Sequence, residues 1–309
     1  MACREESESG SENSRFDHDG TSLTVEADVS CCVYVIVFPL CHSHTIAVMP
    51  SRTAKKTTLV DGRRRRVSLD AESPQPYFTE KSFKFLRDLK RNNRREWFEA
   101  RRELYERDLK QPMLALIEKV TQTMMEYAPG HLRPAQKSML RIYRDTRFSA
   151  DKTPYKTHLA AWWTRSGLEK TSGGGYYLSV SPKELVLAAG VYMPPKEQLL
   201  AIRMHLLERH AEFKRLMEEK KLRRKMELHD PMSLTRPPKG FPADHPAIDW
   251  IKWRQWGVIA TLPAEEALKP SLATTVGAYF QLAQPLVDFL NEPLLRHVEK
   301  KKKPLFGLY

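Results

Sequence analysis

Apolar residues recur along the chain with two different periods. Phe83, Leu86 and Leu89 keep the spacing of one helix face and stop at Asn92-Asn93. Asn93 followed by Glu96 has the form of a capping box, opening a second helix. That helix carries Trp97, Phe98, Leu104, Tyr105 and Leu109, with Arg101 one turn from both Trp97 and Tyr105. Pro112 is placed to start a further helix, striped by Met113, Leu116, Ile117, Val120 and Met124.

The period then falls to two. "SMLRIYRD", "THLAAWWTR", "GYYLSVSP" and "ELVLAAGVYM" are short, rich in aromatic and β-branched residues, and bounded by Gly, Pro or Asp. They predict consecutive antiparallel strands, with Ser181–Glu184 as a tight turn between the last two. Helical spacing returns at Pro195, where Leu199, Ile202, Leu206 and Leu207 share a face. Residues 214–225 form a highly charged helix or hinge, Leu234–Pro246 a proline-rich loop, and Val276–Leu290 an amphipathic helix. Helices, a meander, then helices define an α+β fold: an antiparallel sheet of about four or more strands packed with helices from both ends of the chain. No internal repeat interrupts this order, and 76–295 forms a single domain.

The pattern fails outside that domain. Residues 1–75 read as a disordered, then basic, N-terminal extension, and 296–309 as a basic tail. "CCVYVIVFPLC" (Cys31–Cys41) is apolar for only eleven residues, well short of the roughly twenty of a membrane-spanning helix. The residues ahead of it are acidic, where a signal peptide needs positive charge. Composition breaks at Met49, which makes it a candidate natural start. The Arg63–Arg66 run after it reads as a solvated tail, a targeting signal or a nucleic-acid contact.

Composition fits a folded body, at 41% apolar and 29% charged over 309 residues. The four cysteines (Cys3, Cys31, Cys32, Cys41) all precede the domain. A disulfide framework, a cysteine nucleophile and a zinc–thiolate site are thereby excluded from it, and a reducing, cytoplasmic setting is expected. Net charge is +13, and residues 76–295 hold +11 of it, with 37 Lys and Arg against 26 Asp and Glu. Such a body favours anionic partners.

The densest chemistry lies in "RDTRFSADKTPYKT" (Arg144–Thr157). Alternation places Arg141, Tyr143 and Asp145 on one face of the preceding strand and Ile142 and Arg144 on the other. The connection then supplies Arg147, Lys152 and Lys156. Pro154 restrains the backbone of Thr153, and Phe148 and Tyr155 are placed to anchor the loop. Guanidinium forks bind phosphate or carboxylate through paired hydrogen bonds, so Arg141, Arg144, Arg147, Lys152 and Lys156 make a candidate anion site. Asp145 and Asp151 allow the opposite reading, a structural clasp in which the cations neutralise their own loop.

"NNRREWFEARRELY", "RIYRDTRFSADKTPYKTH", "GGYYLSVSPKELVLAAGVYMP" with its Leu–x–x–Ile–Arg helix, and "LTRPPKGFPADHP" together resemble the family called domain of unknown function 2461. The resemblance covers about Phe78 to Leu290. It implies an α+β domain without an assigned activity, and importance for Arg144, Asp145, Arg147, Phe148, Asp151, Lys152, Pro154, Tyr155 and Lys156. It gives none of them a role.

Other features point less far. The glycines of "SGGGYY" (Ser172–Tyr177) precede a strand, whereas phosphate loops open a helix. His158 beside the loop is a candidate general base. Asp244 and His245 lack a paired metal-ligand spacing. Trp162, Trp163, Trp250, Trp253 and Trp256 suit packing between sheet and helices better than base stacking. Three functional readings follow. The first is an anion-binding domain for a phosphate-bearing metabolite or a nucleic-acid backbone, aided by the basic tails. The second is a hydrolase or transferase acting on an anionic substrate, with Asp145, Asp151 or His158 moving protons. The third is a structural or interaction module. No cofactor, metal or oligomeric state follows from the sequence.

Overall fold

The computed structural model describes residues 75–168 and 173–302, with side chains to residue 296. The acidic lead, the Cys31–Cys41 run, Met49 and the Arg63–Arg66 run lie outside the described residues, as does the chain beyond residue 302. Helix α1 (Glu80–Arg91) buries Phe83, Leu86 and Leu89 as their spacing predicts. The next helix is not continuous. It divides into α2 (Arg95–Glu99) and α3 (Arg102–Tyr105) at Arg101, whose ψ of 18° leaves the helical range. The Arg101 guanidinium covers the Trp97 ring, 4.6 Å from its centroid. Arg94, not Asn93, is the N-cap of α2; the Asn93 side chain is engaged across the fold.

Pro112 does not open a separate helix. The chain passes from α3 through one π-turn (Glu106–Lys110) directly into α4 (Gln111–Tyr127). A proline has no N–H for the carbonyl four residues back, and its ring crowds that carbonyl. Here the carbonyl is that of Asp108, and Ser82 Oγ on α1 donates to it at 2.8 Å. The wider turn accommodates the ring, and the neighbouring helix supplies the missing donor.

After α5 (Ala135–Ser138) come β1 (Leu159–Thr164), β2 (Gly175–Val180) and β3 (Glu184–Val191). Helices α6 (Lys196–Met217) and α7 (Lys220–Lys225), β4 (Glu227–Leu228), α8 (Ile248–Ile251), β5 (Trp256–Pro263) and α9 (Leu272–Lys302) complete the chain. The five strands form one antiparallel sheet in the order β1-β2-β3-β5-β4. Three of the four expected strands are present. "SMLRIYRD" makes only isolated bridges, Met139 with Ala161 and Tyr143 with Tyr155. Its backbone is taken by its own return: Arg144 N–H donates to Pro154 O at 2.9 Å and Lys156 N–H to Ile142 O at 2.8 Å. The burial alternation expected there nonetheless holds, with Ile142 buried between exposed Arg141 and Tyr143.

One face of the sheet carries the core. Leu159, Ala161, Trp163, Tyr176, Leu178, Leu185, Leu187, Val258 and Ala260 point from it and are buried. Phe280 of α9 lies 5.4 Å from the Trp163 ring and 5.1 Å from that of Tyr176, and Trp163 Nε1 donates to Thr121 Oγ1 of α4 at 2.8 Å. Trp250 and Trp253 pack on Phe213. Arg203, the arginine of the Leu–x–x–Ile–Arg motif, is buried and donates to the carbonyls of Ile251 (2.8 Å) and Trp253 (3.1 Å), tying α6 to α8. Helix α9 outruns the expected Leu290 end, passing Pro285 and Pro293. Among the described residues no helix is long and apolar enough to cross a membrane. On the opposite face of the sheet Trp162, Tyr177, Val186, Ala188 and Ile259 are only half-buried among the described residues.

Candidate functional site

The charged loop is a hairpin whose two arms meet at Tyr143 and Tyr155. Tyr155 is 2% exposed, and its ring stacks on Phe98 at 4.2 Å and 19°. The Asn93 side chain pairs with both its backbone groups, Nδ2 donating to Tyr155 O at 2.9 Å and Oδ1 accepting from Tyr155 N at 3.0 Å. Two family motifs thus meet at one residue. Phe148 is not the second anchor: it stands 95% exposed at the tip, with Arg147 against its ring at 5.6 Å.

Three of the five candidate cations have partners inside the loop. Arg144 pairs with Asp151, with Thr153 Oγ1 and, at 3.5 Å, with Ser149 Oγ. Arg147 forks onto Asp145 at 3.0 and 2.7 Å, and Lys152 donates to Thr146 O at 2.9 Å. The Arg147 hydrogen bonds hold the Asp145 carboxyl down at about 2. The Thr153 amide, then Arg144, do the same for Asp151. Carboxylates this acidic are weak proton acceptors at neutral pH. The side chains of Arg141 and Lys156 form no hydrogen bond or ion pair among the described residues. Burial, and then the charge of Arg141, lowers the pKa of Lys156. Burial, and then Lys156, lowers that of His158.

The larger concavity lies elsewhere, on the open face of the sheet. It is a cavity of about 490 Å³, within the range of small-molecule sites. Trp162, Tyr177, Val186, Ala188 and Ile259 form its apolar floor, and Arg133, Lys137, Tyr192 and His229 stand around it. None of the described residues lining it is acidic.

Register explains the shape. Thr164 of β1 pairs with Gly175 of β2, Gly175 with Gly190 of β3, and Gly190 with Gly257 of β5. His229 N–H donates to Gly257 O at 3.0 Å, placing His229 next in the row. Gly190 and Gly257 therefore present bare backbone to the cavity, between Thr164 at one end of the row and His229 at the other, whereas Gly175 lies under the Trp162 side chain, whose Nε1 would be 3.2 Å from a Cβ there. Gly190 has a φ of +138°, and a Cβ there would meet Trp256 O at 2.2 Å, so only glycine allows this close approach. At one end of the row Arg133 Nη1 donates to Thr164 Oγ1. At the other, Gln255 Nε2 lies 3.2 Å from His229 Nδ1. An amide nitrogen only donates, so Nδ1 accepts and the ring carries its proton on Nε2.

The remaining candidates have structural partners. Gly174 is pinned by the buried Asn291 side chain, which accepts from its N–H at 2.7 Å and donates to its carbonyl at 3.1 Å. Asp244 and His245 hold no metal cluster; His245 Nδ1 accepts from Ala247 N at the start of α8. No group of three or more His, Cys, Asp or Glu among the described residues is placed to hold a metal ion. The sequence reading missed the cavity: of its lining, only the tryptophans Trp162 and Trp256 are among the candidates named from sequence, and for packing. The available signal was the glycine in "AAGVY" and "WGV", each interrupting an apolar strand.

Residues 81–289 match the model of a family described as conserved hypothetical protein (DUF2461). No curated protein and no solved structure matches the chain.

Proposed function

The chain belongs to the DUF2461 family, and we propose that it is a binding domain for small anions with an apolar body, held on the open face of the sheet. One observation carries this reading: a cavity of about 490 Å³ with an apolar and aromatic floor, in which the charged side chains are cations. Burying an apolar body there gains about 25 cal/mol per Å² removed from water. Arg133 and Lys137 supply charge-assisted donors for the acidic group. The signature loop serves as a clasp that fixes the chain ahead of β1, because Arg144, Arg147 and Lys152 are engaged within it. A cysteine-free body supports a reducing, cytoplasmic setting.

Calorimetric titration with 2-naphthoate at low salt tests the reading. Arg133→Gln/Lys137→Gln is expected to weaken binding about tenfold or more, from two charge-assisted contacts. Arg147→Gln/Lys152→Gln is expected to leave it within about twofold, since neither residue touches the cavity. The reverse ranking would move the anion site to the loop.

A second reading concerns polyanions. Helix α7 presents Lys220, Lys221, Arg223, Arg224 and Lys225, with no ion pair among the described residues to neutralise them. Nucleic acid bound there would dissociate steeply with salt, whereas no DNA or RNA binding at low salt would remove this reading.

A further inference from the structure

The glycine row gives the site a direction, and from it we infer that the ligand is a flat, two-ended molecule: an acidic group at Arg133 and Lys137, an aromatic ring over the bare backbone of Gly190 and Gly257, and a second hydrogen-bond acceptor at His229. This rests on the reading of the open sheet face as the binding site.

Three features carry it. Strands lie about 4.8 Å apart, so the stretch from Gly190 through Gly257 to His229, two strand spacings, is about 10 Å wide. That matches a fused two-ring system better than a compact ion. The floor is low at Gly190 and Gly257 because no side chain rises from them, and the next row (Trp162, Tyr177, Ala188, Ile259) continues it as the apolar part. A planar ring can lie against peptide planes and the edges of Trp162 and Tyr177, whereas a puckered body of equal size would stand off the floor. The two ends differ chemically. Arg133 and Lys137 bring charged, multiply donating heads, while His229 offers a single oriented donor, its Nε2–H, because Gln255 occupies Nδ1. A group reaching that end therefore has to accept a hydrogen bond.

Calorimetric titration of the full chain with 2-naphthoate, naphthalene-2,6-dicarboxylate and decalin-2-carboxylate tests each element. The dicarboxylate is expected to bind at least tenfold tighter than 2-naphthoate, and the saturated decalin acid at least fivefold weaker. His229→Phe should abolish the dicarboxylate's advantage over 2-naphthoate. His229→Gln, which keeps a donor, should retain part of the advantage and controls for any loss of fold. An advantage that survives His229→Phe, or equal binding of flat and saturated acids, would overturn the inference while leaving the sheet face as the site. Failure of all three acids to bind would overturn the reading beneath it.

Discussion

The Asn93 side chain satisfies both backbone groups of Tyr155, which sits in the core under the charged loop. Replacing it by Ala leaves a buried donor and acceptor unpaired, at about 1–3 kcal/mol each. Asn93→Ala is therefore expected to lose about 2–4 kcal/mol in urea unfolding, whereas Phe148→Ser, at an exposed tip, should fall within about 0.5 kcal/mol of wild type. Both aromatics looked alike in sequence, flanked by charges in one loop. What separates them is a partner 62 residues away, which no local pattern records. His131 gives a pH test. Burial lowers its pKa to about 4; its Nε2 donates to Gly174 O at 3.1 Å, and Nδ1 has no partner among the described residues. The unfolded chain takes up a proton near pH 6.5 and the folded chain only near 4, so in that window the unfolded state binds more protons. Stability should fall as pH drops from 6.5 to 4, by up to about 3 kcal/mol. His131→Gln, neutral throughout, should flatten that slope when denaturation midpoints are compared across pH.

At the scale of elements, periodicity located the longer helices and three of the strands, because each buries a face that its own residues define, but not the one-turn helices α5 and α8. Its failures have physical causes. Pro112 marks a helix start by rule, yet a π-turn and the Ser82 hydroxyl let the helix continue through it. Ser82→Ala should cost about 1–2 kcal/mol by stranding the Asp108 carbonyl, measurable by thermal or chemical unfolding. "SMLRIYRD" alternates as a strand should, but hydrogen bonds across the hairpin take its backbone at Ile142 and Arg144. Strand β5 was overlooked because its three neighbouring tryptophans drew attention to packing, and its partner β3 lies far away in sequence. Gly190→Ala tests what the glycine row does. A Cβ meeting Trp256 O at 2.2 Å at a φ of +138° should part β3 from β5 and cost about 3 kcal/mol or more, with loss of 2-naphthoate binding in any folded fraction.

At the scale of the whole molecule, the surplus of positive charge was legible, and with it the expectation of an anionic partner. The place was not. The charge-rich loop drew the eye because its residues are contiguous, and the fold turns most of those charges on one another. The cavity draws its lining from six separate segments, brought together by strand register and by the chain ahead of β1, so no stretch of sequence displays it. The central claim is that the open sheet face, rather than the loop, receives the ligand. A crystal structure of the protein soaked in 2-naphthoate tests it most directly. The account predicts the ring between Trp162, Tyr177 and Gly190, with its carboxylate within hydrogen-bond reach of Arg133 or Lys137. Ligand density at Arg147 and Lys152 with an empty sheet face would contradict it.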